Sequence, residues 1–167
     1  MNDSRQKHRR KLRNRKKLRN RKKSKRRRAM RRKVQNVLFY TSFFFTTNVL
    51  STFYKGYYLY SFLFLSLLIT SLIYHSPSDN VIYGLLDKFF VLSIVVYGAN
   101  MLYNKYSPDN LFLTAIVVTL FLYVLYVFIY GKVTSQCCFH KDKYIADLYH
   151  GSIHLMSSIG HHCITLL

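Results

Sequence analysis

The sequence predicts an all-α membrane protein, a polytopic transmembrane helix bundle of about five spans that follows a disordered basic N-terminal arm. The chain has a net charge of +20, yet 50% of its residues are hydrophobic, and ordinary soluble domains do not combine the two. The charge is also confined to one end, because residues 1–33 hold 20 of the 26 Lys and Arg. Residues 34–167 are nearly neutral, so they form a separate apolar domain.

The basic arm, residues 1–33, contains a repeat of low complexity. Residues 12–17 and 18–23 share the sequence Leu-Arg-Asn-Arg-Lys-Lys, and the arm has almost nothing apolar to bury, so we expect it to be disordered alone. One interpretation is a tether to anionic lipid that also fixes the orientation of the chain. The other is nucleic-acid binding through residues 5–33, since such runs neutralise phosphates without reading sequence.

Beyond the arm, apolar runs alternate with short polar separators. Each run is close to the ~20 residues that cross a hydrocarbon core of ~30 Å, and Lys55-Gly56 forms a tight turn between the first two. Tyrosines collect at the ends of the runs, where an amphipathic ring prefers the headgroup level. A soluble helical bundle is disfavoured because the runs mostly lack polar faces. The five runs are residues 37–54, 57–74, 85–103, 111–130 and 144–167.

The distribution of lysine and arginine predicts the orientation in the membrane. The basic arm directly precedes the first span and should keep the N-terminus cytoplasmic. The loop after the fourth span is cytoplasmic in the same topology, and it carries Lys132, Lys141 and Lys143. The loops after the first and third spans carry one or two lysines. We therefore expect an integral, multi-pass membrane protein with a cytoplasmic N-terminus.

Five polar residues lie at one depth within the apolar runs. Ser71 and His75 lie at the end of the second span, Asp87 at the start of the third, and His150 and His154 in the first turns of the fifth. In the predicted topology all five lie towards the cytoplasmic leaflet. Residues four apart share a helix face, so the last two histidines can point at one ion. Polar residues inside a membrane are costly, and a functional site is the default interpretation.

The residue types suit a zinc ion. Neutral imidazoles bind zinc at about 2.0 to 2.1 Å, and three protein ligands with one open position are typical of a catalytic site. Taken singly, a buried histidine is explained by a helix-to-helix hydrogen bond, and Asp87 by an interfacial carboxylate near a helix start. The shared depth and leaflet of the five residues favour a metal site.

The pattern resembles the signature of the CREST superfamily, which includes alkaline ceramidases and the progestin and adiponectin receptors. The residues that carry the resemblance are Ser71-x-x-x-His75, Asp87 and His150-x-x-x-His154, within a pattern of spans over residues 37–167. The resemblance implies that the three histidines bind Zn2+, that Asp87 orients or deprotonates the metal-bound water and that Ser71 supports the site. The short interval from His75 to Asp87 is more similar to the ceramidase branch than to the receptors.

The number of spans departs from this family, which has seven where the sequence of this chain predicts five. Removing two consecutive spans preserves the orientation of the last one, so the metal site is retained while a wall of the substrate cavity is lost. Either a partner chain, such as a second copy in a homo-oligomer, completes the cavity, or the protein is a reduced and inactive relative.

The expected function is therefore that of a zinc-dependent hydrolase acting on a lipid amide or ester, with ceramide the first candidate substrate by resemblance. Zinc lowers the pKa of bound water towards 7 and polarises a carbonyl. The main alternative is a non-enzymatic membrane protein whose basic arm binds nucleic acid, anionic lipid or an acidic partner. A receptor-like member would retain zinc without turnover. A serine hydrolase is disfavoured, because no nucleophile elbow accompanies Ser71.

Two residues near the histidines have smaller predicted roles. Asp147 lies one turn before His150 and is either a hydrogen-bond acceptor for the site or a charge at the helix start. His161 lies seven residues beyond His154, about 10 Å further along a helix that rises 1.5 Å per residue. That distance is too great for one ion, so His161 is expected near the opposite interface.

Overall fold

In a computed structural model of the chain, the described residues are 15–22, 24–25, 37–76 and 81–167. The chain divides into two units, Met1–Val34 and Gln35–Leu167. The secondary structure of the described residues consists of helices and turns, with no strand among them. The predicted all-α class is therefore confirmed for this part of the chain.

The described part of the first unit is helical. Residues 15–22 and 24–25 have helical backbone and exposed side chains, while the disorder expected of the arm alone stays a prediction. Arg and Lys have good intrinsic helix propensity, which accounts for the conformation, although an isolated helix of this length is only marginally stable in water. The rest of the predicted arm lies outside the described residues.

In the second unit, a helical segment at residues 37–42 precedes five α-helices of the described chain. Each predicted span coincides with helical backbone, and the predicted ends lie within a few residues of the observed ones. Single 3-10 turns, Pro108–Asn110 and Cys137–Phe139, lie on either side of the fourth helix. The helices are α1 (Phe44–Tyr54), α2 (Tyr58–Tyr74), α3 (Val81–Lys105), α4 (Leu111–Thr134) and α5 (Lys143–Leu166).

The tight turn between α1 and α2 is built around Gly56. Its φ is 81°, a left-handed conformation that costs a residue with a Cβ roughly 1–2 kcal/mol. The Gly56 N–H donates to the carbonyl of Phe53, and the Tyr57 N–H donates to that of Thr52 at 2.9 Å. This pair of bonds is a Schellman motif. It ends α1 and returns the chain so that α2 packs beside it.

Two helical stretches of the described chain are long and apolar enough to cross a membrane, Val81–Lys105 and Pro108–Phe139. Only 11% of the most apolar part of the second stretch is buried inside the protein, whereas the core helix of a soluble protein would be mostly buried. Tyr58–Tyr74 is apolar but has 17 residues. The structure therefore supports two spans by length and composition, and the five-span topology is a proposal.

The second unit has a mixed interior and an apolar surface. Buried polar side chains, such as Asn48, Ser71 and Ser158, lie on the helices that face one another, while large apolar side chains such as Phe112 and Val133 are exposed. Extended apolar surface marks contact with lipid or with another protein. The hydrophobic core consists of Phe45, Tyr60, Phe64, Leu67, Ile94, Met101, Val117 and Ile164.

The C-terminal end of α5 is held by two lysines. The Lys55 ammonium donates to the Thr165 carbonyl at 2.7 Å, and the Lys105 ammonium donates to the Ile164 carbonyl at 3.4 Å. The last carbonyls of a helix have no donor within the helix, and a cation there also interacts favourably with the helix dipole. Lys105 lies over the ring of Tyr57, 4.8 Å from its centroid. These contacts fix one end of α5 against its neighbours.

Candidate metal centre

His75, His150 and His154 meet inside the second unit. His75 is the C-terminal cap of α2, and the other two lie one turn apart in the first half of α5. One ring nitrogen from each lies within 4.8 Å of the other two. The ring centroids are 4.9 Å apart for the α5 pair and 5.4 and 5.7 Å apart across the helices. The structure thus brings together all three residues that were predicted as ligands.

Two rings of this cluster have nitrogen atoms without hydrogen bonds to described residues. Nε2 of His75 is buried and has no hydrogen-bond partner, and no hydrogen bond joins the ring of His150 to a described residue. Histidine binds metals through a nitrogen of the neutral imidazole.

The third ring, that of His154, is held from behind by a threonine. Its Nδ1 lies 3.1 Å from Thr41 Oγ1, so Nε2 is the nitrogen that is left for an ion. Thr41 belongs to the helical segment 37–42, which approaches α5 closely at Gly151. A Cβ added to Gly151 would lie 3.1 Å from Thr41 Cγ2. The glycine therefore provides the space that lets Thr41 reach His154.

The donor set fits zinc, although the cluster is wider than a zinc-loaded site. Zinc–nitrogen bonds of about 2.0 to 2.1 Å in a tetrahedron place the ligand nitrogens about 3.3 Å apart. The nitrogens here lie within 4.8 Å of one another, so a pair at that limit would have to close by about 1.5 Å to hold zinc. Three imidazoles suit zinc and similar transition metals, whereas magnesium and calcium prefer oxygen ligands. Three ligands leave a fourth tetrahedral position for water or substrate.

Asp87 and Ser71 form a second polar group on α3 and α2. Ser71 is buried, its Oγ lies 3.1 Å from Ser42 Oγ, and its side chain lies close enough to Asp87 to affect that carboxylate electrostatically. Asp87 Oδ1 is buried without a partner. Asp87 is not part of the close group of ligand atoms, which consists of the three histidines. This position agrees with a role other than metal ligand, and its action on a bound water stays a prediction.

Asp147 pairs with a lysine and not with the histidine one turn away. Its Oδ2 lies 3.3 Å from the Lys143 ammonium, and its side chain is buried while that of the lysine is exposed. The capping role at the helix start belongs to Asp142, whose carboxylate accepts the Tyr144 N–H at 2.9 Å. The pair fits the second predicted role of Asp147, a charge in the first turns of α5, better than that of an acceptor for His150.

His161 lies inside the bundle and outside the metal cluster, at a contact between three helices. Its Nδ1 is hydrogen-bonded to the hydroxyl of Tyr60, which is completely buried. Gly98 on α3 faces this pair, and a Cβ there would lie 2.7 Å from the tyrosine hydroxyl. Among the described residues, the close group of possible ligand atoms contains His154 but not His161. Burial between helices does not define the depth of His161 in a membrane, so its place near the opposite interface stays a prediction.

Thr41 and Ser42 are the site residues that the sequence did not reveal. Both lie in the first apolar run and contact the predicted residues His154 and Ser71. Hydroxyl residues in apolar helices commonly bond to a carbonyl of their own helix, and both do so at Leu38. The presence of these hydroxyl residues in the sequence therefore does not identify their partners on other helices. Only the rotation of the segment relative to α2 and α5 identifies their partners.

Comparison of the chain with protein-family models, with curated proteins and with solved structures finds no match. The case for a function therefore depends on the geometry of the histidine cluster and on the five-residue pattern of the sequence.

Proposed function

We propose that this chain is a multi-pass membrane protein with a three-histidine zinc site, and that it hydrolyses a lipid amide or ester. The observation that carries the proposal is the approach of three imidazole nitrogens to within 4.8 Å of one another. They come from α2 and α5, whose residues are far apart in sequence. A buried nitrogen without a partner, such as Nε2 of His75, is costly, and a metal ion would satisfy it.

In this proposal the three histidines bind the metal ion, Asp87 acts on the attacking water and Ser71 supports the site. His75, His150 and His154 hold the ion through one ring nitrogen each. A zinc ion bound there would supply Lewis acidity, which lowers the pKa of water and polarises a carbonyl. Asp87 accepts the proton that the attacking water loses, and its unpartnered Oδ1 is available for this. The role of Ser71 is the one that the resemblance implies for it.

The membrane setting favours a lipid as the substrate. Large apolar side chains cover much of the second unit, so acyl chains of a surrounding bilayer would contact its surface. The reacting group is then an amide or ester near the headgroup level, and ceramide is the first compound to test because of the resemblance. A second copy of the chain is the proposed source of the cavity wall that two missing spans would otherwise form.

Five spans remain part of the proposal, although composition alone supports two. The less apolar helices, α1 and α5, contain polar side chains that face the protein interior, among them Asn48, His154 and Ser158, at 1%, 6% and 4% exposure. Polar residues of membrane helices usually face the bundle in this way. The segment 37–42 and α1, separated by a turn at Phe43, together span about 27 Å at 1.5 Å per residue. This is slightly shorter than the ~30 Å core, and local thinning of the bilayer accommodates such a mismatch.

The metal content of the purified chain tests the site directly. Elemental mass spectrometry of the detergent-purified chain, prepared without chelators, should give about one zinc per chain. The double variant His150→Ala/His154→Ala should lose it. A matched control is His162→Ala, because that ring bonds to Thr47 outside the cluster. The control should keep the zinc of the unmodified chain.

The outcomes separate the proposed function from its alternatives. Zinc in the unmodified chain and release of fatty acid from ceramide would support the hydrolase. Zinc without turnover of any lipid amide or ester would favour the receptor-like alternative. If the unmodified chain contains no metal above background, the proposed zinc site is wrong. The basic arm would then be the candidate functional element. Its described residues, 15–22 and 24–25, are helical and expose cationic side chains. Binding of the arm to polyanions should weaken steeply with salt.

A further inference from the structure

Two threonine–histidine hydrogen bonds join the first helical run to α5. Thr41 Oγ1 lies 3.1 Å from His154 Nδ1, and Thr47 Oγ1 lies 2.9 Å from His162 Nε2. In both cases the hydroxyl also donates to a carbonyl three residues earlier in its own helix. The two bonds differ in their surroundings, because the first lies against the histidine cluster and the second is exposed.

The first bond bears on which nitrogen of His154 carries the proton. A threonine hydroxyl has one proton to donate, and the Leu38 carbonyl lies 3.1 Å from Thr41 Oγ1 as an acceptor for it. With that proton donated to Leu38, the Thr41 oxygen accepts the Nδ1–H of His154, one of the two directions that the 3.1 Å contact allows. This tautomer places the lone pair of the ring on Nε2, the nitrogen on the far side from Thr41.

The position of Thr41 is itself fixed by packing. Its side chain is branched at Cβ, which restricts χ1 to few rotamers. Its methyl group lies against Gly151, where an added Cβ would approach to 3.1 Å. Gly151 lies in α5 between His150 and His154. The same close approach therefore places the hydroxyl and orients the ring.

We propose that Thr41 is a positioning residue of the zinc site, which accepts the Nδ1–H of His154 and thereby presents the Nε2 lone pair to the ion. The inference rests on the proposed function, since it assigns a role towards the same ion. Metal-binding histidines commonly donate their second N–H to a fixed acceptor, and removal of that acceptor typically costs 10–100-fold in metal affinity. Thr47 has no such role, because His162 lies outside the cluster.

Zinc affinity of single variants of the full-length chain tests this role. Thr41→Val keeps the shape of the side chain and removes the hydroxyl, so the zinc dissociation constant should rise about 10–100-fold. Thr41→Ser retains the hydroxyl and should stay much closer to the unmodified chain. Thr47→Val loses the same kind of bond away from the cluster and should leave the affinity unchanged. Competition with a chelator of known zinc affinity measures all four proteins.

The tautomer of His154 gives a second readout that does not depend on metal loading. Nitrogen NMR of the 15N-histidine-labelled, metal-free chain, assigned with a His154→Ala variant, should show the proton of this residue on Nδ1. A proton on Nε2 would overturn the proposal even if Thr41→Val failed to fold.

The zinc affinities also distinguish the presence of the zinc site from the role of Thr41 in it. No zinc binding by the unmodified chain would overturn the proposed function. Normal zinc binding by both the unmodified chain and Thr41→Val would overturn the role of Thr41 alone. Equal weakening in Thr41→Val and Thr47→Val would also overturn it, because the loss would then come from general loosening of the contact with α5.

Discussion

Gly98 lies where Tyr60 and His161 meet inside the bundle, and replacing it with alanine tests that packing. The added Cβ would lie 2.7 Å from the Tyr60 hydroxyl and 3.0 and 3.1 Å from two ring atoms of His161, whereas ordinary contacts begin at 3.4 Å. The hydroxyl group has no free space to move into, because Tyr60 is completely buried. Its ring centroid lies 4.9 Å from that of Phe64 and 4.8 Å from that of Tyr97.

We therefore expect Gly98→Ala to lower the free energy of unfolding by about 1–3 kcal/mol, the usual cost of overpacking a filled core. Loss of the Tyr60–His161 hydrogen bond would account for about 1 kcal/mol of this. The matched control is Gly160→Ala in α5, where the added Cβ would lie 3.8 Å from Leu120. Both changes remove a glycine from a helix, which by itself stabilises by roughly 0.5–1 kcal/mol, so their difference isolates the crowding.

Reversible unfolding in detergent micelles, followed by far-UV circular dichroism, measures both variants. Tyr60→Phe provides a further check, since it removes the crowded hydroxyl. Gly98→Ala should cost less in that background than in the unmodified chain. Equal stabilities for Gly98→Ala and Gly160→Ala would refute the placement of Tyr60 against α3.

Two other predictions concern the polar interior and the topology. Asn48→Ala should lower the free energy of unfolding, measured in the same micelles, by about 1–3 kcal/mol, because the Asn48 amide and Ser158 exchange two buried hydrogen bonds. The control Thr119→Ala removes an exposed hydroxyl that is bonded within its own helix and should change this free energy little. Similar losses in the two variants would contradict the buried network. The topology is tested in variants that retain only Cys138 or only Cys163. A membrane-impermeant maleimide added from the cytoplasmic side should label Cys138 and leave Cys163 unlabelled. Labelling of both from that side would contradict the five-span topology.

The helices could be predicted from the sequence because apolar runs of this length satisfy their backbone hydrogen bonds internally. The turn at Lys55-Gly56 was also predictable, since the glycine adopts the left-handed conformation that ends α1. Composition could not decide how many helices span a membrane. The polar residues that reduce the hydropathy of α5, such as His154 and Ser158, are buried, and burial depends on the packing of other helices.

The grouping of the three histidines was predictable for a different reason. The spacing of His150 and His154 places both on one helix face, and the shared depth places His75 near them. The orientation of each ring was not predictable, because it depends on contacts between segments that are distant in sequence. Thr41 reaches His154 only where Gly151 lets two helices approach. A zinc ion at this cluster and catalysis by Asp87 remain predictions for the experiments above.

The two lysines at the far end of α5 determine how the helix could respond to an ion. Lys55 and Lys105 hold its last carbonyls, so this end can serve as a pivot. His150 lies 15 residues from Thr165, or about 22 Å along the helix axis. A tilt of about four degrees about the pivot would move His150 by about 1.5 Å. Such a tilt would carry His150 and His154 together relative to His75 without refolding α5, while the distance between those two rings would depend on their side-chain rotamers.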